Sequence, residues 1–202
     1  MITPLMLHNG LCDFLEKEVA STFKLKSIDR AYNEHFTVPK VIRSGFVLPK
    51  SIDSGSQEIQ VSSEEYGEKG DYSEAEYHTG EEFPYFAPRI DKVEHTSANE
   101  AIVTIEILYG VYGPATYSDD GKIVNDGSGY TDLWNMIETT RQKLFITGTI
   151  AERFSILADF YEAEMLEEQL YPYWEGFCKT KWHIVFPQHV PNFHPENNYD
   201  IN

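Results

Sequence analysis

The sequence predicts an α+β domain in which a mainly antiparallel sheet packs against one or two helices. Two patterns indicate this class. Apolar residues recur at helical spacing near the N-terminus and again over residues 129–146, while alternating apolar and polar residues mark strands before and after the second helix. The predicted order is helix, strand, acidic loop, two strands, helix, and one or two further strands.

The composition indicates a folded and strongly acidic protein. The chain has 202 residues, 14% of them aromatic, and its 33 acidic and 16 basic residues give a net charge of −17. Such a length allows a sizeable core, and such an aromatic content argues against disorder. Nonspecific binding to nucleic acid is disfavoured, because it depends on Lys and Arg displacing counterions from phosphates.

The N-terminus and the cysteines bear on the cellular compartment. The first 20 residues have no basic region followed by an apolar run long enough for a signal peptide or a membrane span. The chain is therefore predicted to be cytosolic at synthesis, with no membrane partner. Cys12 and Cys178 lie far apart and outside any CxxC pair, which favours buried thiols over a disulfide.

The N-terminal part is predicted to hold a helix, a short strand and an acidic insertion. Apolar residues at helical spacing predict a helix over residues 10–24, and the β-branched stretch 37–50, bracketed by prolines, predicts a strand at a sheet edge. Residues 53–82 hold ten acidic residues and one basic one, with too few apolar residues for a core. A solvated loop is favoured there over a calcium site, because the carboxylates lack the D-x-D-x-D-G order.

The central part is predicted to form a hairpin followed by the longest helix. Residues 83–95 and 100–113 read as strands, and the second is expected to bury one face, formed by Val103, Ile105, Ile107, Tyr109 and Val111. Residues 113–129 read as a loop, with a tight turn at Asp120-Gly121. The helix over 129–146 is expected to end at Gly148. Its predicted buried stripe is Tyr130, Leu133, Trp134, Ile137, Leu144 and Phe145.

The C-terminal part is ambiguous at first and then reads as a strand. Residues 150–166 fit a helix and a strand equally well by periodicity. Residues 173–186 predict a strand that turns Cys178, Trp182, Ile184 and Phe186 inward and Lys179, Lys181 and His183 outward. The domain is predicted to span residues 1–187, and residues 188–202 to form an extended tail.

No arrangement of residues indicates catalysis. The chain contains no GxSxG, phosphate-binding loop, HExxH or GxGxxG motif. His189 and His194 have a spacing that suits zinc but no partnering cysteine. The cluster of Glu162, Glu164, Glu167 and Glu168 could suggest a sugar-cleaving carboxylate pair, although such clusters are usually solvated loops. The chain is therefore predicted not to be an enzyme and to bind no cofactor or metal.

Three segments together resemble one protein family. They are "FPYFAPRI" leading into "AIVTIEILYGVYG", then "GYTDLWNMIETTRQKLF", then "EEQLYPYWEGFCKTKWHIVFP". In order and spacing, over roughly residues 83–187, they are similar to the tail-completion or tail-terminator-like proteins of long-tailed bacteriophages and prophages. One such segment alone is a weak signal, whereas all three in sequence are fairly specific.

The resemblance implies a structural virion protein. It implies a ring of six copies that closes the head-proximal end of the tail tube, contacts the tail-tube protein and a neck or head-completion protein, and lets genomic DNA pass through its lumen without specific binding. The expected location is the tail or neck of the virion, after assembly in the host cytoplasm.

The resemblance also bears on two segments of this chain. It implies a strand and then a loop over 150–166, and it makes Tyr171, Tyr173 and Trp174 candidate subunit-interface residues. Aromatic residues are favoured at interfaces because they bury much area and keep one polar atom to pair. For Trp174, a simple core role stays open.

Three other readings stay open. A neck adaptor, a stopper or a baseplate-side virion protein would share a small α+β fold and ring assembly. A small acidic hydrolase acting on sugars or peptides would need a deep pocket with paired carboxylates. A monomeric binding module would hold a ligand with exposed aromatic residues.

Overall fold

The computed structural model describes residues 2–27, 36–45, 83–114, 116–117, 123–124, 127–169 and 171–186. Within them the helices are α1 (Pro4–Phe14) and α2 (Ser128–Thr147). The strands are β1 (Leu25–Lys26), β2 (Phe36–Thr37), β3 (Lys40–Val41), β4 (Tyr85–Ser97), β5 (Glu100–Tyr112), β6 (Thr116–Tyr117), β7 (Ile123–Val124), β8 (Thr149–Ile150), β9 (Phe154–Met165) and β10 (Tyr173–Val185). The acidic insertion 53–82, the tail 188–202, His189 and His194 lie outside the described residues, and the predictions about them stay predictions.

The main sheet has six strands in the order β3-β4-β5-β10-β9-β8. β3 runs parallel to β4, and all other neighbours in this sheet are antiparallel. The chain is thus a mixed α+β protein with a mainly antiparallel sheet and two helices, as predicted. Helix α2 packs on β5, β10 and β9, while α1 contacts β4 and β8, which lie on opposite sides of the sheet. The sheet therefore curls around α1. Two small hairpins, β1–β2 and β6–β7, complete the described structure.

The central strands face the core as their alternation predicts. The five apolar residues of β5 that were expected to be buried are all fully buried, and so are Cys178, Trp182 and Ile184 on β10. Lys179, Lys181 and His183 lie on the opposite face and are half-buried. These two strands and the helices above them enclose the main core.

Helix α2 lies where the apolar stripe predicts it, although Tyr130 does not face the core. It ends at Gly148, whose φ of +68° is the left-handed conformation that glycine adopts without strain. Leu133, Ile137 and Leu144 are buried as predicted. Tyr130, however, is 48% exposed, because it lies in the first turn and meets the edge of the Trp174 ring rather than the core.

The predicted stripe leaves out three buried residues of α2, namely Gly129, Met136 and Thr140, of which only Thr140 is polar. Thr140 is fully buried, and its hydroxyl donates to the Met136 carbonyl at 2.7 Å. That local bond satisfies the hydroxyl within the helix, so a threonine takes an apolar position. A stripe drawn from apolar residues alone cannot include it.

The first helix begins earlier than residue 10. Thr3 caps α1 by accepting a hydrogen bond from the Met6 amide at 3.3 Å, and Pro4 occupies the first helical position, where its missing N–H does no harm. After Phe14 the chain continues as a π turn over Leu15–Val19 and a 3₁₀ turn over Ala20–Thr22. The predicted range 10–24 therefore omits the first six residues of this helical segment and runs two residues past its end.

The prediction of one strand over 37–50 is wrong for the described part of that range. Phe36–Thr37 pairs with β1, whereas Lys40–Val41 pairs with β4 in the main sheet. Pro39 lies between them, and a proline cannot donate to a ladder, so the two short strands belong to different sheets. The predicted edge position is confirmed for β3, and residues 46–50 lie outside the described structure.

The ambiguous stretch 150–166 forms strands. β8 and β9 are joined by a tight turn in which Ala151 and Glu152 have φ of 50° and 57°. In β9, Ile156 pairs with Trp182 and Tyr161 with Thr180, so residues 157–160 bulge out opposite a single residue of β10. The bulge interrupts the two-residue alternation, and this explains why periodicity alone fits a helix equally well.

Candidate interaction surface

We call the face of the main sheet that turns away from the two helices the outer face. It carries alternate residues of each strand, since successive side chains point to opposite sides. In the part of the chain that the structure describes, neither helix packs on it. The residues that define it are Tyr85, Ala87, Arg89, Lys92, Thr104, Glu106, Leu108, Gly110, Tyr112, Glu162, Glu164, Tyr173, Glu175, Phe177, Lys179, Lys181 and His183.

An ion network occupies the middle of the outer face. Glu106 is only 5% exposed although it carries a carboxylate. Arg89 donates to its Oε1, and Lys179 Nζ lies 3.3 Å from its Oε2 and 3.6 Å from Asp91 Oδ2. The hydrogen bond to Glu106, and then the charge of Asp91, raise the pKa of Lys179 above its usual range. A carboxylate covered by two cations is a structural anchor rather than a reactive group.

Aromatic residues form a second small core at one end of the outer face. Phe83 and Tyr85 are almost fully buried, and the Phe83 ring lies 4.9 Å from the rings of both Tyr85 and Tyr173, measured between centroids. The Tyr85 hydroxyl donates to Glu175 Oε1 at 2.7 Å. Because the cluster joins the start of β4 to the start of β10, it fixes the end of the sheet where the candidate interface residues lie.

The structure does not bring the three candidate interface residues into one patch. Tyr171 is 55% exposed in the turn before β10. Tyr173 is half-buried in the aromatic cluster of the outer face, whereas Trp174 points to the helix side of the sheet. Consecutive residues of a strand face opposite sides, so Tyr173 and Trp174 cannot act on one partner surface. An interface role stays a prediction for each of them.

Trp174 packs inside the fold against the start of α2. Its ring lies 6.2 Å from Tyr130, edge to face, and covers Gly129 so closely that any side chain there would overlap the indole. Its Nε1 is buried and has no hydrogen-bond partner among the described residues. The core role that the sequence left open for Trp174 therefore has direct packing contacts.

The side chain of Gln169 holds the turn between β9 and β10, and sequence reasoning missed this function. Its amide nitrogen donates to the carbonyls of Leu166 and Glu175, at 2.6 and 2.7 Å, and its amide oxygen accepts from the Glu175 N–H at 2.7 Å. One side chain thus pairs with Glu175 as a neighbouring strand would. Gln169 lies inside the third family-like segment, and that membership was the sequence signal that could have identified it.

We expect Gln169→Ala to lower the stability of the fold by about 1–2 kcal/mol, because partly buried backbone groups lose their partners. Thermal unfolding followed by circular dichroism measures the effect. Gln142→Ala is the matched control, since Gln142 is exposed on α2 and its amide, among the described residues, meets only Glu138, at 2.9 Å. Equal melting temperatures for both variants would show that the Gln169 bonds do not stabilise the turn.

The four glutamates of the sequence cluster do not converge. Glu162 and Glu164 point outward from β9 and, with Phe177 and Lys179, line a surface cavity of about 400 Å³. Glu167 and Glu168 lie exposed beyond the end of β9. Two carboxylates on one strand lie side by side, whereas sugar cleavage needs them on opposite sides of the scissile bond.

Both cysteines are free and fully buried, as predicted. Burial raises the pKa of each thiol to about 11. Cys178 Sγ lies 3.1 Å from the hydroxyl of Tyr109 inside the core. Thiols with so high a pKa stay protonated near neutrality and make poor nucleophiles.

The described residues contain neither a cluster of metal-ligating side chains nor a helix suited to span a membrane. No three His, Cys, Asp or Glu side chains in that part of the chain come together as metal ligands. Neither described helix combines the length and the apolar character that crossing a bilayer requires.

Comparison of the sequence with models of known protein families gives no match, and comparison with curated proteins gives no significant match.

Proposed function

We propose that this chain is a structural virion protein that closes the head-proximal end of a phage tail tube as a ring and joins the tail to the neck. The observation that carries the proposal is the occurrence, in order, of three family-like segments between residues 83 and 187. In the fold these segments form the β4–β5 hairpin, helix α2, and β10 with the turn before it. They are also neighbours in space, since α2 packs on β5 and β10 and these two strands pair.

The charge of the chain supports the same proposal. At −17 per chain, six copies would carry −102, six times the single value. A lumen formed by so acidic a ring repels phosphate, because attraction to DNA requires clustered Lys and Arg. DNA could then move through the ring without being held. The covered ion network of the outer face and the protonated thiols fit a structural protein better than an enzyme.

The test is deletion of the gene in the phage or prophage that encodes this chain. We expect filled heads and separate tails that fail to join, tails of abnormal length, and a loss of infectious particles. Complementation with the wild-type gene should restore them, and complementation with Gln142→Ala should do so equally well, since that residue is exposed on α2. Normal infectious particles from the deletion strain would refute the proposal.

A cryo-EM map of the virion separates this role from those of other virion proteins. We expect density for this chain as a ring between the tail tube and the neck. A position at the baseplate, or on the head side of the neck, would replace the proposed role with a baseplate or adaptor role.

A further inference from the structure

Towards each lateral edge of the main sheet, some backbone groups have no hydrogen-bond partner among the described residues. β3 pairs only with Tyr85 and Phe86 of β4, and β8 only with Phe154 and Ser155 of β9. Two stretches therefore face no other strand in the described structure: residues 90–97, called the β4 edge, and residues 161–165, called the β9 edge. Open strand edges are templates for pairing with another chain.

The backbone of the β4 edge is turned outward at two apolar residues. Residues of an antiparallel pair alternate between those that exchange hydrogen bonds and those whose backbone turns away. Pro88, opposite Ile107, has no N–H, and its carbonyl accepts from His8 Nε2 at 2.9 Å, so it turns away from β5. Ile105 and Val103 lie two and four residues before Ile107 on β5, and they pair with Ile90 and Val93. Asp91 is the extra residue of a bulge between these two pairs. Ile90 and Val93 therefore turn away as well.

The β9 edge shows the same alternation. The Leu166 N–H donates to the Glu175 carbonyl at 3.0 Å, so Leu166 faces β10. Met165 and Ala163 lie one and three residues before it, and their backbone groups consequently turn outward. On both edges the outward-turned residues carry their side chains on the helix side of the sheet. Ile90 and Val93 lie opposite Ile105 and Val103, and Ala163 lies opposite Cys178.

The two edges consequently match in direction and in face. β4 and β9 run antiparallel to each other, since three antiparallel pairings separate them in the sheet. If the β9 edge of one copy meets the β4 edge of a second copy in the same orientation, the pairing is antiparallel. The helices of both copies then lie on the same side of the continued sheet.

Side chains at the two edges are also complementary. On the helix side, Ile90 and Val93 are each 36% exposed and would meet Ala163 and Met165. On the outer face, Glu162 and Glu164 have no ion-pair partner among the described residues, whereas the β4 edge carries Lys92, whose Nζ lies 2.8 Å from Glu94 Oε1 in an exposed ion pair. Pairing two β9 edges would instead place four glutamates together. The charges therefore favour a β4 edge as the partner of a β9 edge.

We propose that the β9 edge of one copy pairs with the β4 edge of the next copy, and that this contact joins the subunits head to tail. A contact between two different surfaces repeats from copy to copy and closes into a ring when the rotation between copies divides a full turn. The assignment names the subunit contact of the proposed ring and rests on the proposed function only for the expectation that a ring forms.

Two single substitutions in the full chain test the contact. Val93→Pro and Ala163→Pro each remove an N–H that points to an open edge, while the ladders to β5 and β10 keep their hydrogen bonds. Raised ionic strength screens the repulsion between acidic copies, so the measurements are made in high salt by sedimentation velocity. We expect wild type to form a closed oligomer and each variant alone to be a monomer.

An equal mixture of the two variants gives the sharpest outcome. One variant keeps an intact β9 edge and the other an intact β4 edge, so we expect a one-to-one dimer and nothing larger. A dimer formed by one variant alone would show two identical edges in contact and would overturn the head-to-tail assignment. A wild-type chain that stays monomeric in high salt, or a ring that survives both substitutions, would also overturn it.

Cross-linking keeps the test decisive if a proline variant does not fold, which circular dichroism would reveal. Val93→Cys and Ala163→Cys in one chain should yield a ladder of cross-linked oligomers with a bismaleimide, because both native cysteines are buried. Either substitution alone should yield none, and a ladder from one alone would contradict the proposal. Failure of the contact in these experiments leaves the virion role standing, since that role is judged by particles from the deletion strain.

Discussion

Replacement of Ile137 by Asp is expected to leave no soluble folded protein. Ile137 is 2% exposed, and its Cδ1 lies against β10, 3.5 Å from where a Cβ on Gly176 would be. Losing this buried aliphatic side chain lowers the free energy of unfolding by roughly 1.5–3 kcal/mol. Burying an unpartnered carboxylate in the same place destabilises the fold by several kcal/mol more. The two losses together approach the whole free energy of unfolding of an ordinary domain, about 5–15 kcal/mol.

Solubility on expression and circular dichroism of any soluble fraction measure this effect. Ile146→Asp is the matched control, since the same change is made on the same helix at a residue that is 84% exposed. We expect the control to melt as wild type does. A folded Ile137→Asp protein with an unchanged melting temperature would mean that this side of α2 does not face the core.

Replacement of Gly110 by Ala is expected to give the second largest loss of stability. Gly110 lies on the outer face of β5 opposite Tyr85, and a Cβ there would overlap the Tyr85 ring and lie 2.7 Å from Phe83 Cε1. The methyl group would push the ring out of the aromatic cluster. Overpacking costs about 1–3 kcal/mol and exposing an aromatic ring a further 1.5–3 kcal/mol, so we expect stability to fall by about 2.5–6 kcal/mol.

A double-mutant cycle with Tyr85→Ala isolates the cause. Without the Tyr85 ring only the contact with Phe83 Cε1 remains, so Gly110→Ala should lower stability less in that background than in the wild-type chain. Urea unfolding of the four proteins gives the coupling between the two sites. Equal losses in both backgrounds would show that the ring does not require glycine at position 110.

Local patterns predicted the parts of the fold that depend on neighbours in sequence. The alternation in β5 and β10 showed which side chains face the core, because the strand repeat of two residues is a property of the chain itself. The end of α2 at Gly148 was predicted for the same reason, since a left-handed glycine stops a helix locally. The acidic balance of the chain and the order of its three family-like segments are likewise properties of the sequence alone.

Features that depend on contacts between distant segments could not be predicted in this way. Glu106 alternates with the apolar residues of β5 and so lies on the opposite face, where its burial follows from Arg89 on β4 and Lys179 on β10. The bulge at 157–160 arises from the pairing of β9 with β10 and blurs the alternation that would have identified the strand. Each of these features requires knowledge of which strands are neighbours.

The sequence by itself determined the fold class, the face of each long central strand, the end of α2, and the family resemblance from which the function is proposed. The tertiary structure alone decided that Trp174 packs on α2, that Gly110 must leave room for Tyr85, and that the β4 and β9 edges turn matching backbone groups outward. The physical reason is that periodicity reports the side of an element on which a residue lies. What covers that side depends on strand order and register, which bring together residues far apart in the chain.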